Sequence, residues 1–151
     1  MSESRAGNRR KIVVERVLPH PAEKIWRVLT TSALISQWLM PNDFRPVVGH
    51  KFTFRTKPMG KWDGIVQCEV SECDPPHRLR YSWVGGHEDN GAYGSKLDSV
   101  VTWTLKPVEG GTLLHMEHDG FGAGNEFAFE AMSGGWAKLA ERIGELAASL
   151  R

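Results

Sequence analysis

Long apolar runs are missing from this chain. No stretch approaches the roughly 18 consecutive apolar residues that a membrane helix needs. The N-terminus, Met1 to Lys11, has no apolar core and does not read as a signal peptide. An excess of one charge is missing too: 19 Lys and Arg stand against 18 Asp and Glu, a net charge of +1 over 151 residues. Dedicated nucleic-acid and membrane-surface binders are normally strongly basic, so neither nucleic acid nor membrane is an expected partner. Cysteine is scarce. Cys68 and Cys73, the only two, lie five apart, which in an unbroken strand puts them on opposite faces. No bridge between them is expected, and no CxxC spacing offers metal or redox chemistry. The expected setting is a reducing cytoplasm. Catalytic signatures are absent as well: GxSxG, HExxH, a P-loop and a Rossmann glycine pattern do not occur. No cofactor and no metal are expected.

What the chain does have is aromatic residues: six Trp and six Phe, against only two Tyr. With 40% hydrophobic and 25% charged residues, the composition is that of one globular domain. Residues 1–10, with Arg5, Arg9 and Arg10, read as a flexible basic tail before a single domain over 11–151.

Lys11 to Leu18 reads as a strand rich in β-branched residues, ended by Pro19 and Pro21. Ala22 to Leu29 starts a helix, and Thr31 or Ser32 is placed to cap a second short one carrying Leu34, Ile35 and Trp38. From Lys51 the apolar period changes to two. Phe52 and Phe54 share a face, as do Val66, Cys68 and Val70, then Tyr81 and Trp83, Val101 and Trp103, and Leu114 and Met116. Glu109-Gly110-Gly111-Thr112 is a hairpin signal. Several short strands, each with one apolar face, make an antiparallel sheet covered on one side. The last segment has period 3.6, with Phe129, Met132, Trp136, Leu139, Ile143, Leu146 and Leu150 on one stripe. Gly134 and Gly135 interrupt it at a cost of about 1 kcal/mol each, which suggests a close backbone approach there. The order predicts an α+β domain in which one curved sheet grips one long C-terminal helix.

Four strings then stand out in order: HPAEKIWRVLTTSALISQWL, ECDPPHRLRYSW, VTWTLKPVEGGTLLHMEHDGF and the Gly-Gly-Trp at 134–136. Together they resemble the activator of heat-shock protein 90 ATPase homologue family, within the START/Bet v 1-like (SRPBCC) superfamily of helix-grip proteins. The resemblance runs from about residue 12 to the C-terminus. It implies a helix-grip fold of about seven antiparallel strands around the long helix, with two short helices after strand 1 and a cavity between sheet and helix. It also implies small-molecule binding or a chaperone contact. Members that stimulate the chaperone resemble this chain in their C-terminal domain, and a chain of this length is not expected to hold their separate N-terminal one.

Strand parity and the expected cavity give a candidate ligand site. Its members are Trp38, Phe52, Phe54, Tyr81, Trp83, Trp103, His118, Phe121 and Trp136, which would surround an apolar or aromatic small molecule. Buried Trp N–H and Tyr O–H groups also need polar partners. Trp38 with Met40 and Pro41, and Tyr93 in the Gly-rich segment 85–96, would rim its mouth. His118 shares the inward parity of Leu114 and Met116. It would orient a ligand, act as the general base of a cyclase- or hydrolase-type enzyme, or simply bond to backbone or Tyr81. His115 and Glu117 share the outer face but lack a third metal ligand.

Overall fold

The computed structural model describes residues 10–90 and 94–150; the basic residues Arg5 and Arg9, and Tyr93, lie outside them. Strand β1 (Arg10–Leu18) is followed by helices α1 (Ala22–Thr30) and α2 (Ser32–Trp38). Five strands follow: β2 (Lys51–Arg55), β3 (Ile65–Asp74), β4 (Arg78–Gly85), β5 (Leu97–Val108) and β6 (Gly111–Phe121). Helix α3 (Glu126–Ser149) ends the chain. Every strand pair is antiparallel and the order is β1-β6-β5-β4-β3-β2, so the first strand crosses to the far edge beside the last. This is the expected curved sheet with its long helix, although it has six strands among the described residues where the resemblance implied about seven.

Alternation decides which side of the sheet is wet. Phe52, Phe54, Val66, Val70, Val101 and Leu114 are all buried on the inner face, while Lys51, Gln67, Glu69 and Arg80 are exposed on the other. One irregularity breaks the alternation. A bulge between Val70 and Glu72 shifts the register of β3, so Cys73 stands opposite the fully buried Leu79. Cys73 therefore shares the inner face with Cys68, contrary to the unbroken-strand expectation. Both remain free thiols. Five strand residues span roughly 16 Å, too far for a bridge.

Ser32 does not cap α2: no side-chain cap is made there. Its hydroxyl instead donates within the turn after the helix, 2.8 Å from Asn42 Oδ1 and 3.0 Å from the Asn42 carbonyl. Asn42 Nδ2 returns a bond to the Ser32 carbonyl at 3.2 Å, which fixes how α2 hands the chain to β2.

Helix α3 is packed unevenly. Its buried residues are Trp136, Ala140, Ile143, Leu146 and Ala147, none of them earlier than Trp136. The close backbone approach lies there too, at Gly144, where a Cβ would sit 3.1 Å from Leu18 Cδ2 of β1. At Gly134 and Gly135, where sequence suggested such an approach, nothing lies within 4 Å of a built Cβ. Gly134 lies on the exposed side of the helix, and Gly135 borders open space between helix and sheet. Leu18 is a tight point on its backbone side as well: a side chain at Gly111 would strike its carbonyl where the β5–β6 hairpin meets the end of β1. No helix among the described residues is long and apolar enough to cross a membrane.

The difference between the helix glycines is measurable. Gly134→Ala gains helix propensity at no steric cost and should raise unfolding free energy by about 0.5–1 kcal/mol. Gly144→Ala must displace the Leu18 methyl and should gain less or lose. Urea denaturation of the two variants decides it.

Candidate functional site

The nine aromatic and imidazole rings of the candidate ligand site form one connected cluster. Phe52 meets Phe54 and Tyr81, Phe54 meets Trp83, and Trp83 meets both His118 and Trp136. Trp103 joins Trp136 to Trp38, and Phe121 stands edge-on to His118 at 4.8 Å. Phe44, which no sequence pattern marked, completes the cluster at 5.0 Å from Phe52.

Most of this cluster is solid core. Phe52, Phe54, Tyr81, Trp103, His118 and Phe121 retain almost no exposure. Trp38 packs α2 onto the sheet, its indole N–H donating to the Val28 carbonyl at 3.0 Å and its ring edge-on to Trp103. Open space begins only where Trp83 and Trp136 end. There a cleft of about 270 Å³ opens between the first half of α3, the β4–β5 end of the sheet and the segment after α2. Sheet and loops contribute Trp62, Val66, Trp83, Ser95 and Leu97; the helix contributes Ala128, Ala131, Met132, Gly135 and Leu139. Leu39 and Met40 form another wall, whereas Trp38 and Pro41 do not reach it.

Several of these residues carried a readable signal. Trp62 has the parity of Val66, and Leu97 that of Val101, although Trp62 lies in a turn before β3 begins. Met132 and Leu139 belong to the Trp136 stripe. Ala128 and Ala131 carried no signal, because they act by being small; Gly135 was marked, but for a close backbone approach and not for a cleft. Trp62 is fixed by its N–H bond to the Ile65 carbonyl at 3.0 Å. Its loop is held to the β4–β5 loop by Asn90, whose Nδ2 donates to the Met59 carbonyl at 2.7 Å and whose Oδ1 accepts from the Lys61 N–H.

His118 shows how the site is wired. The Trp136 indole donates to His118 Nδ1 at 3.0 Å, so that nitrogen holds a lone pair. Ser99 Oγ donates to the Trp83 carbonyl at 2.8 Å and therefore accepts from His118 Nε2–H, also at 2.8 Å. The imidazole is thus neutral, in the Nε2–H tautomer, with both nitrogens occupied. Burial holds its pKa down to about 3. The bonds run to Ser99 and Trp136 rather than to backbone or to Tyr81. Tyr81 instead accepts the Trp103 indole N–H at 3.0 Å, and burial pushes its phenol pKa up. Cys68 is likewise pushed up, by burial first and the Asp43 charge second, which leaves it an inert thiol.

On the outer face His115 bridges two carboxylates, Glu15 at 2.6 Å and Glu117 at 2.9 Å. Its pKa is raised, chiefly by the bond to Glu117. No group of three or more His, Cys, Asp or Glu among the described residues is arranged to hold a metal ion.

A curved antiparallel sheet gripping a long C-terminal helix, with a cleft between them, defines a helix-grip protein of the START/Bet v 1-like kind. Within that class the family is specific. The family model described as Activator of Hsp90 ATPase homolog 1-like protein matches residues 19–148, and the chain belongs to that family. Protein MLL2253 from Mesorhizobium loti is 40% identical, with a TM-score of 0.83 over 94% of this chain and 99% of that one. Protein BH1534 from Bacillus halodurans is 27% identical, with a TM-score of 0.72 over 91% of this chain and 96% of that one. DynU16, from the dynemicin biosynthetic locus, shares the fold at 22% identity and a TM-score of 0.67, over 89% of this chain and 46% of its own. None of the curated proteins matches the chain.

The wiring of His118 has a pH signature. An unfolded histidine titrates near 6.5, whereas this one stays neutral down to about 3. Between those values the unfolded chain binds a proton that the folded chain does not, so stability is complete above about pH 6.5 and falls with acidification. The slope from this group approaches about 1.4 kcal/mol per pH unit. His118→Leu should remove that part of the slope. It should also cost about 1–3 kcal/mol at pH 7 by stranding the Trp136 N–H. Urea unfolding from pH 7 to 4 on both proteins tests both effects.

Proposed function

We propose that this protein binds a small, neutral, largely apolar molecule in the cleft beneath the first half of α3. The observation that carries this reading is the lining: a concave space of about 270 Å³ walled by Trp, Leu, Val, Met and Ala, with no charged side chain among the described residues. Ligand sites are typically concave, apolar and aromatic, with a few polar groups. A dry apolar cavity of about 150 Å³ accepts benzene, so this space suits a body of roughly two rings. The family's fold, shared with a protein from a biosynthetic locus, is compatible with such cargo.

Chemistry at His118 is disfavoured, because neither ring nitrogen is available to take a proton from a substrate. A chaperone contact is the second reading, and the family match over residues 19–148 is what favours it. It would use the polar outer face of the sheet and predicts that the isolated chain stimulates a chaperone ATPase.

The cleft reading is tested with N-phenyl-1-naphthylamine, a neutral dye that brightens in apolar surroundings. Saturable brightening is expected with the wild type. Gly135→Leu, which projects a side chain into the cleft, should weaken the dye at least about tenfold, equivalent to about 1.4 kcal/mol. Absence of saturable binding to the wild type, or equal binding by the variant, would rule out this site.

A further inference from the structure

We infer that the cleft selects ligands carrying a hydrogen-bond acceptor, such as a ketone or ester oxygen, and that Trp83 Nε1–H is the donor that reads it. The inference rests on the proposed small-molecule function and goes beyond it by naming the recognition chemistry.

The indole donors in and around the cleft have different fates. Trp136 gives its N–H to His118, Trp103 to Tyr81, Trp62 to the Ile65 carbonyl and Trp38 to the Val28 carbonyl. Each of these rings therefore presents only carbon to its surroundings. Trp83 is different. Its carbonyl is bonded by Ser99, but its Nε1–H donates to no described residue. The residue is 5% exposed, yet the nitrogen is not among fully enclosed atoms lacking a partner, so solvent reaches it. Trp83 stands on the inner face under α3, against Trp136 at 5.7 Å, and the open space it borders is the cleft. A donor that water touches only through an apolar cleft loses that water when a ligand enters. An apolar ligand would leave the N–H unpaired, whereas an acceptor replaces the lost bond.

The hydroxyls of the lining are able to donate as well. Ser95 Oγ accepts from Asn125 Nδ2 at 3.1 Å, and its own hydroxyl proton goes to no described residue. Thr56 contributes a further hydroxyl at the rim. Among the described residues no carboxylate, side-chain amide or free imidazole lines the cleft, and no Lys or Arg lines it to neutralise an acid. Ser95 lies beside Gly86, just past the end of β4 on which Trp83 stands. The complementary ligand is neutral, ring-built and bears an acceptor where it meets Trp83.

A matched pair of probes tests this. 2-Acetonaphthone and 2-isopropenylnaphthalene have nearly the same planar shape and differ in one oxygen, C=O against C=CH2. Both are titrated as competitors of N-phenyl-1-naphthylamine. In the wild type the ketone should displace the dye about three- to tenfold better than the hydrocarbon, the ratio expected for one net hydrogen bond. In Trp83→Phe that ratio should fall to about one, whatever happens to the individual affinities. The infrared carbonyl stretch of the bound ketone gives a second readout on unmutated protein: it should lie below its value in hexane. Equal displacement by the two probes with an unshifted carbonyl overturns the inference while leaving the cleft reading intact. Failure of the dye itself to bind overturns the cleft reading, and this one with it.

Discussion

One hydrogen bond fixes where the helix can sit: the Trp136 indole N–H to His118 Nδ1. It is the middle of a chain that runs from α3 through the imidazole to Ser99 on β5 and the Trp83 carbonyl on β4. Each member has one acceptable orientation, because a reversed serine or the other histidine tautomer would leave a buried group unpaired. The helix is therefore docked on the sheet by polar registry as well as by apolar contact. With Trp136 pinned, Ala140, Ile143 and Leu146 fall into the core, and the turns before it are carried out over the end of the sheet. The cleft is the space those turns leave.

That arrangement divides the aromatic content by role. Phe52, Phe54, Tyr81 and Trp103 fill the middle of the curved sheet and meet each other or their neighbours edge-on. They give the rigid floor. Trp62, Trp83 and Trp136 stand at its margin and give the walls. The outer face is built differently, with Lys11, Glu15, His115 and Glu117 forming a ladder of charges across β1 and β6. Exposed pairs of this kind add little stability but keep that face wet.

Much of this was legible in the residues. Alternation in β2 to β6 identified the inner face, and the 3.6 period from Phe129 onward identified the gripping helix, because both periods follow from side-chain direction alone. The nine rings chosen for the site do meet. Sequence could not say which of them would be core and which would border space, since a cavity is an absence and Ala128, Ala131 and Gly135 leave no apolar signature. Nor could it show the partners of His118. Both were set by cross-strand register and helix docking, to Ser99 across β5 and Trp136 on α3, and not by local spacing. The bulge at β3 was invisible for a similar reason: one inserted residue changes parity without changing composition.

The uneven burial of α3 also bears on how quickly a ligand bound as proposed would leave. The stretch held most firmly against Leu18 and the core, from Ala140 onward, is not the stretch that covers the cleft. Exposing the cleft would then take a local opening rather than cooperative unfolding of the domain. The proposed cargo would exchange on the timescale of loop and helix-end motion, which suits short custody and hand-over better than long storage.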